Sequence, residues 1–321
     1  MPIADIHEDI IKTHILTKLD GQTLAAAACA SSRLQSLSSD QNLWSDICHS
    51  TWPSTLDPQL TKTISDFPSG HRSFYSDSSS SPTQRLTTAA TSSPPTPQII
   101  SCVDLRYDNE LIFSKVESTN TTPSDWFQTS PFRVDLLEPK ELVLTGVKVK
   151  SPGDDRVLLT DLENNMTLSW IMIDPTRNRA VNLSSVKPVS VQRNWLTNDI
   201  ELTFAVVFTV NGNGYVSCNV QITCGVNGGS GELTVSGAGL TVLDVYGKCL
   251  SGKDSMVILQ GLAVGMRRRG GGEGWRERYD EYIQVRRERN EKRERGERRL
   301  DMAFVAGGVA IFMAFWSFAI C

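Results

Sequence analysis

Histidine is scarce in this chain: His7, His14, His49 and His71 all lie near its start, and none follows His71. Histidine-based catalytic triads and His-rich metal sites are therefore excluded from everything beyond. The seven cysteines, at 29, 48, 102, 218, 224, 249 and 321, form no CxxC pair and no metal-ligand spacing, so reduced thiols are expected. Glycine-rich stretches lack the GxxxxGK(S/T) arrangement and read as turns, not phosphate cradles. A formal net charge of -4 gives no basis for nucleic-acid binding. The first residues have neither the positive stretch nor the apolar run of a secretory signal, so Asn120, Asn165 and Asn182 are chance glycosylation matches. Asp154, Asp155, Asp161 and Glu163 form the nearest approach to a carboxylate cluster, and solvated surface is their reading. No cofactor, metal or active site is expected.

What is present concentrates in the first fifty residues. Ile6 and Ile10 lie one turn apart, while Ile11, Ile15 and Leu19 continue at i+4, giving two apolar stripes that need two partners. Asp5 with Glu8 forms a capping box, which places the helix start near Ile6. Leu19-Asp20-Gly21 closes this helix, and the alanine run from Leu24 to Ala30 opens a second one of small side chains. Asp40 precedes a third, with Leu43 and Ile47, then Trp44 and Cys48, paired at i+4. Roughly 45 residues are too few to bury a self-sufficient core, so the surplus apolar surface calls for a partner.

The series Ile6, Ile10, Ile15, Leu16, Leu19, Leu24, Cys29, Arg33, Leu37, Leu43 and Trp44 resembles an F-box. His7 stands where that pattern has proline, and Leu34 where it has tryptophan. The resemblance implies that Ile6, Ile10, Ile15, Leu16, Leu19, Leu24, Leu37, Leu43 and Trp44 dock on a Skp-type adaptor, joining the chain to a cullin-RING ubiquitin ligase. The words Thr51–Ser54, Gly70–Tyr75, Trp126-Phe127, Ser130–Leu137, Leu168–Ile171 and Val191–Leu196 are similar to segments of one plant F-box subfamily. Without a partner, residues 1–50 would be an ordinary helical subdomain packed on the rest.

Beyond the helical start, 51–75 reads as a compact connector with Trp52, Phe67, Phe74 and Tyr75 available for packing. Residues 76–98 are almost all Ser, Thr, Pro and Ala and read as a flexible linker, in which Ser81, Ser93 and Thr96 precede proline. From 99 to 262 the period changes to two. Val103–Arg106 and Leu111–Val116 form a hairpin around Tyr107-Asp108-Asn109. Phe132–Leu137, Glu141–Lys150, Leu168–Ile173, Ile200–Val210, Val216–Cys224, Leu233–Val235, Leu240–Tyr246 and Met256–Leu259 read as further strands. A mainly antiparallel β-sandwich-like domain is expected, with Cys218 and Cys224 on its buried face. Trp126, Arg177, Arg179, Arg193 and Trp195 are its candidates for substrate contact, being residue types that dominate binding hot spots.

Residues 263–301 are glycine-rich, then charged. Arg286–Arg299 hold eight basic residues against four Glu, a local net of 8 - 4 = +4. Residues 302–321 carry no charge and at about 1.5 Å each span about 30 Å, the expectation for a transmembrane tail anchor with a basic juxtamembrane collar. The whole chain is thus expected to be α+β: an N-terminal three-helix F-box, a β-rich recognition domain for a protein substrate, and a single C-terminal transmembrane helix. That combination fits a non-catalytic substrate receptor on the cytosolic face of a membrane. A membrane-anchored, lectin-like or lipid-sensing binding protein is the alternative.

Overall fold

The helical start changes pitch along its length. The computed structural model describes residues 7–82, 85–86, 96–149, 154–210, 214–227, 231–265, 267–268 and 274–320. In it, α1 (Glu8–Ile10) runs into a π turn, Ile11–Ile15, and a 3₁₀ turn, Leu16–Lys18. Asp5 and Ile6 lie outside the described residues, and His7 caps the helix, its Nδ1 accepting the Asp9 N–H at 3.4 Å. Asp20 caps α2 (Gly21–Ala28), Ser31 caps α3 (Ser32–Leu37) and Asp40 caps α4 (Gln41–Thr51). The expected three helices are therefore four, because the Ser31 hydroxyl accepts the Leu34 N–H at 3.2 Å and starts a separate turn. A 3₁₀ turn, Pro53–Leu56, leads to α5 (Pro58–Ser65) and α6 (Gly70–Ser79).

Short β1 (Ser81–Pro82) and β2 (Arg85–Leu86) precede the hairpin of β3 (Gln98–Tyr107) and β4 (Glu110–Asn120). Its turn residues Asp108 and Asn109 have φ of 50° and 67°, the left-handed pair that matches strand twist. Next come α7 (Asp125–Thr129), β5 (Arg133–Asp135), β6 (Val143–Lys148), α8 (Asp155–Asn165), β7 (Met166–Asp174), β8 (Arg179–Asn182) and β9 (Ser190–Arg193). Three long strands follow, β10 (Ile200–Val210), β11 (Gly214–Val226) and β12 (Glu232–Leu243). One sheet has the order β4-β3-β7-β8; the other runs β2-β10-β11-β12-β5, with β6 also on β12 and β9 on β10. Only β2 against β10 is parallel among these pairs. Leu105 and Trp170 of the first sheet and Phe204, Val220 and Leu240 of the second share one core. Alternation along β11 puts Val216, Cys218, Val220, Ile222 and Cys224 in that core and Gln221 in solvent.

Met256–Leu259 is not a strand. It lies in α9 (Gly252–Val264), capped by the Ser251 hydroxyl and ended at Gly265. Burial of most of its faces erases the helical period from the sequence. After β13 (Arg267–Arg268), which pairs with β1, α10 (Trp275–Ile320) runs unbroken. Its first turns pack on the β domain: Tyr282 is buried and donates to the Asp244 carbonyl at 2.6 Å, and the Tyr215 hydroxyl donates to Glu281 at 2.7 Å.

Among the described residues no helix is long and apolar enough to cross a membrane. This overturns the transmembrane helix expected at 302–321, and with it the single-pass anchor and the cytosolic-face localisation. The apolar end is no separate span but the continuation of one long, otherwise charged helix, α10. Cys321 lies outside the described residues.

Candidate functional site

The helical start closes on a small core of Ile11, Leu16, Leu24, Leu43 and Trp44. Its phase comes from the π turn. Ile11 and Leu16, five residues apart, both point inward, and Ile10 and Ile15, also five apart, are 49% and 41% exposed. In a regular α-helix residues five apart diverge by about 140°; the wider π turn brings them nearly into line. Trp44 anchors the core, its indole N–H donating to the Ser38 carbonyl at 2.7 Å and its ring lying 5.4 Å from that of Tyr75. Tyr75 also crosses Gly21 so closely that a Cβ there would overlap its ring, which requires glycine at that position. Lys12 pairs with Asp40 and, together with the Asn42 N–H, holds its carboxyl below the usual range.

The residues expected to meet an adaptor thus divide by position. Leu16, Leu24, Leu43 and Trp44 are interior, Leu19 and Leu37 are half-buried against them, Ile10 and Ile15 face outward, and Ile6 is outside the described residues. Leu34, standing where the family pattern has tryptophan, packs half-buried on the same core. Sequence reasoning missed Ile11 as an interior residue, and Tyr75 of the expected connector packs on both Trp44 and Trp52, its ring 5.4 Å from each.

A second core fastens these helices to the β domain. Cys48, Trp52, Leu60, Ile64, Phe67 and Phe74 pack against Ile100, Cys102, Ile171, Ile173 and Ala180 of the four-stranded sheet. Polar bonds cross the same seam. Buried Asp104 on β3 accepts the Ser54 N–H at 2.9 Å, the Ser54 hydroxyl at 2.6 Å and the Ser114 hydroxyl at 2.8 Å. Burial nevertheless pushes its carboxyl pKa up. The Trp52 indole N–H donates to Ser169 at 3.2 Å, and Arg106 donates to the carbonyls of Ser50 and Thr51. Beside this seam His49 and His71 meet edge to face at 5.8 Å, each with a buried Nε2 that finds no partner. Burial, then the neighbouring His49, holds the His71 imidazole below its ordinary range.

The expected linker begins and ends in ordered structure. Ser76–Ser79 complete α6, whose Asp77 accepts a forked pair of bonds from Arg179 at 2.8 and 3.1 Å. At the other end Thr96 is buried and its hydroxyl donates to Asp174 at 2.9 Å, so of the three Ser/Thr-Pro positions this one is closed to a kinase in the folded chain. Ser93 lies outside the described residues.

The five candidates for substrate contact separate as well. Arg177 is tied to Asp174 at 2.6 Å, Arg179 to Asp77, and Arg193 to Asp155 at 2.7 Å, so all three arginines are held in ion pairs within the fold. Trp126 and Trp195 are 76% and 91% exposed. Asn194 stiffens the loop below Trp195, its side-chain oxygen accepting the N–H groups of Leu196 and Thr197. The carboxylates at 154–163 have structural tasks: Asp154 caps α8, Asp161 accepts the Tyr107 hydroxyl and Glu163 pairs with Arg276. Cys218 and Cys224 are buried, which pushes both thiols up, Cys224 to about 12. Among the described residues no group of His, Cys, Asp or Glu is placed to hold a metal ion.

No family model and no solved structure matches the chain. Curated plant proteins do. It is 42% identical to F-box protein At2g27310 of Arabidopsis thaliana, over 98% of this chain and 96% of that one. It is 41% identical to probable F-box protein At2g36090, over 97% and 91%, and 39% identical to F-box protein At3g44326, over 97% and 88%, both from the same plant. With such identity carried from the helical start through the β domain, the chain belongs to a subfamily of plant F-box proteins.

Proposed function

We propose that this protein is the substrate-receptor subunit of an SCF-type cullin-RING ubiquitin ligase, itself non-catalytic. The observation that carries the reading is the outward pair Ile10, just before the π turn, and Ile15 at its end, apolar residues exposed beside a small closed core. A Skp-type adaptor laid on that flank removes them from water, while Leu16, Leu24, Leu43 and Trp44 keep the flank in shape. Kinship with proteins named F-box proteins supports the same role. The β domain then holds a protein target, and catalysis is proximity: the target's effective concentration near the ubiquitin donor rises, while the partner enzymes carry out the transfer.

The test is a full-length Ile10→Asp/Ile15→Asp variant. Both positions are exposed, so helix content measured by circular dichroism should match wild type, while co-purification with the adaptor is lost because each aspartate would be buried unpaired at the interface. Undiminished co-purification from that variant would sink the assignment. The alternative, a binding protein outside any ligase, predicts that outcome.

A further inference from the structure

A cleft of about 220 Å³ opens between α7 and α9, away from the helices assigned to the adaptor. Lys253, Met256, Val257 and Gln260 stand at helical positions i, i+3, i+4 and i+7, so one face of α9 makes a wall. Phe127 and Gln128 of α7, with Pro123 before them, make another, and Thr96 and Thr121 complete the lining. Most of the inner polar groups are already engaged. The Thr96 hydroxyl donates to Asp174 and accepts from Arg177 and from the Gln260 amide nitrogen at 3.0 Å, and the Thr121 hydroxyl donates to the Thr96 carbonyl at 2.6 Å. Gln260, only 8% exposed, uses its nitrogen there, which leaves its amide oxygen as an acceptor for an incoming group.

The rim has a different character. Trp126, Val257 and Val264 are exposed apolar side chains on the two helices that form the cleft, and the exposed Lys253 has no carboxylate partner among the described residues. A cavity of this size suits one large side chain, since pockets for drug-sized ligands run from about 300 to 1,000 Å³. A solvent-exposed tryptophan beside an apolar slot is the composition of a protein-binding hot spot, and an unpaired lysine at its mouth selects for negative charge.

We propose that this cleft receives a bulky apolar side chain of the target protein, flanked by a carboxylate of the same target that pairs with Lys253. The proposal rests on the receptor reading and gives it a substrate class: segments combining one large apolar residue with an adjacent acidic one.

A displayed library of random peptides, panned against the full-length chain, tests it. Selected peptides should share a large apolar residue with Asp or Glu close by. Their affinity, measured by fluorescence anisotropy, should fall about tenfold for Lys253→Glu and by a similar factor for Val257→Trp, whose ring would cover the slot. Both positions are exposed, and circular dichroism plus adaptor co-purification checks that each variant remains folded. Selection of no common pattern, apolar peptides indifferent to acidic neighbours, or unchanged affinity in either variant overturns the proposal. Adaptor capture by a wild-type chain that selects no peptide removes the cleft and leaves the receptor reading. Peptide capture with the expected variant losses but no adaptor binding supports the cleft and removes the ligase.

Discussion

Asp104 offers the sharpest test of how the helical layer is joined to the sheet. It is buried, and three hydrogen bonds converge on its carboxylate, two of them from buried Ser54 across the seam. Asp104→Ala leaves the Ser54 N–H and hydroxyl without acceptors, while exposed Ser114 returns to water. At about 1–3 kcal/mol for each buried donor left unpaired, less the relief of removing a carboxylate that burial already disfavours, the net loss is about 2–4 kcal/mol. Asp104→Asn keeps the shape and one acceptor oxygen, and should cost about 1 kcal/mol or less at neutral pH. The two variants also differ in pH response. A carboxyl whose pKa is raised in the fold binds its proton more tightly there than in the unfolded chain. Its contribution is therefore largest in acid and is lost as pH rises from about 3.8 through the raised value. Asp104→Asn lacks that loss, so its stability relative to wild type should improve across the same rise. Urea unfolding of the full-length chain, followed by tryptophan fluorescence at several pH values, measures all of this. An Asp104→Ala loss below about 0.5 kcal/mol, or identical pH profiles for wild type and Asp104→Asn, would refute the reasoning.

His71 gives the opposite pH sign. Its imidazole is held below the ordinary value of 6.5, so the fold favours the neutral ring, and stability present above about pH 6.5 is lost as pH falls below it. Melting temperatures taken from about pH 7.5 to about pH 5.5 should drop more steeply for wild type than for His71→Phe, and parallel curves would contradict the burial argument. Arg179→Ala removes both bonds to Asp77 and should cost about 1–3 kcal/mol by thermal melting, with rescue by Lys incomplete because only the guanidinium forks across both carboxylate oxygens.

Much of the fold was legible because local chemistry agreed with tertiary packing. Asp40 and its following helix, the Asp108-Asn109 hairpin and the alternation along β11 each carried their signal in adjacent residues. Strand β10 was read over its full span for the same reason. The α9 segment failed where information was tertiary: a helix buried nearly all round looks like a buried strand, although Ser251 and Gly265 marked its ends. In the candidate site, the residue types were readable and their directions were not. Regular i+4 spacing put Ile11 and Ile15 on one stripe, whereas the π turn sends Ile11 inward and Ile15 outward. The partners of the arginines were hidden in a related way, since nothing near Arg179 in sequence announces Asp77, about a hundred residues earlier. The apolar tail showed that lack of charge alone does not define a membrane span.

The second core, where Trp52 and Phe74 meet Ile171 and Ile173, has a geometric consequence. Ile10 and Ile15 sit on helices whose neighbours are packed against the four-stranded sheet, so the flank and the α7–α9 cleft are joined through one continuous apolar contact. A target seated on the β domain would be held out along one line, not swept through a cone. Which of its lysines met the transfer centre would then depend on the target's own length and outline, and a lysine off that line would be passed over however close it lay in sequence to the docking segment.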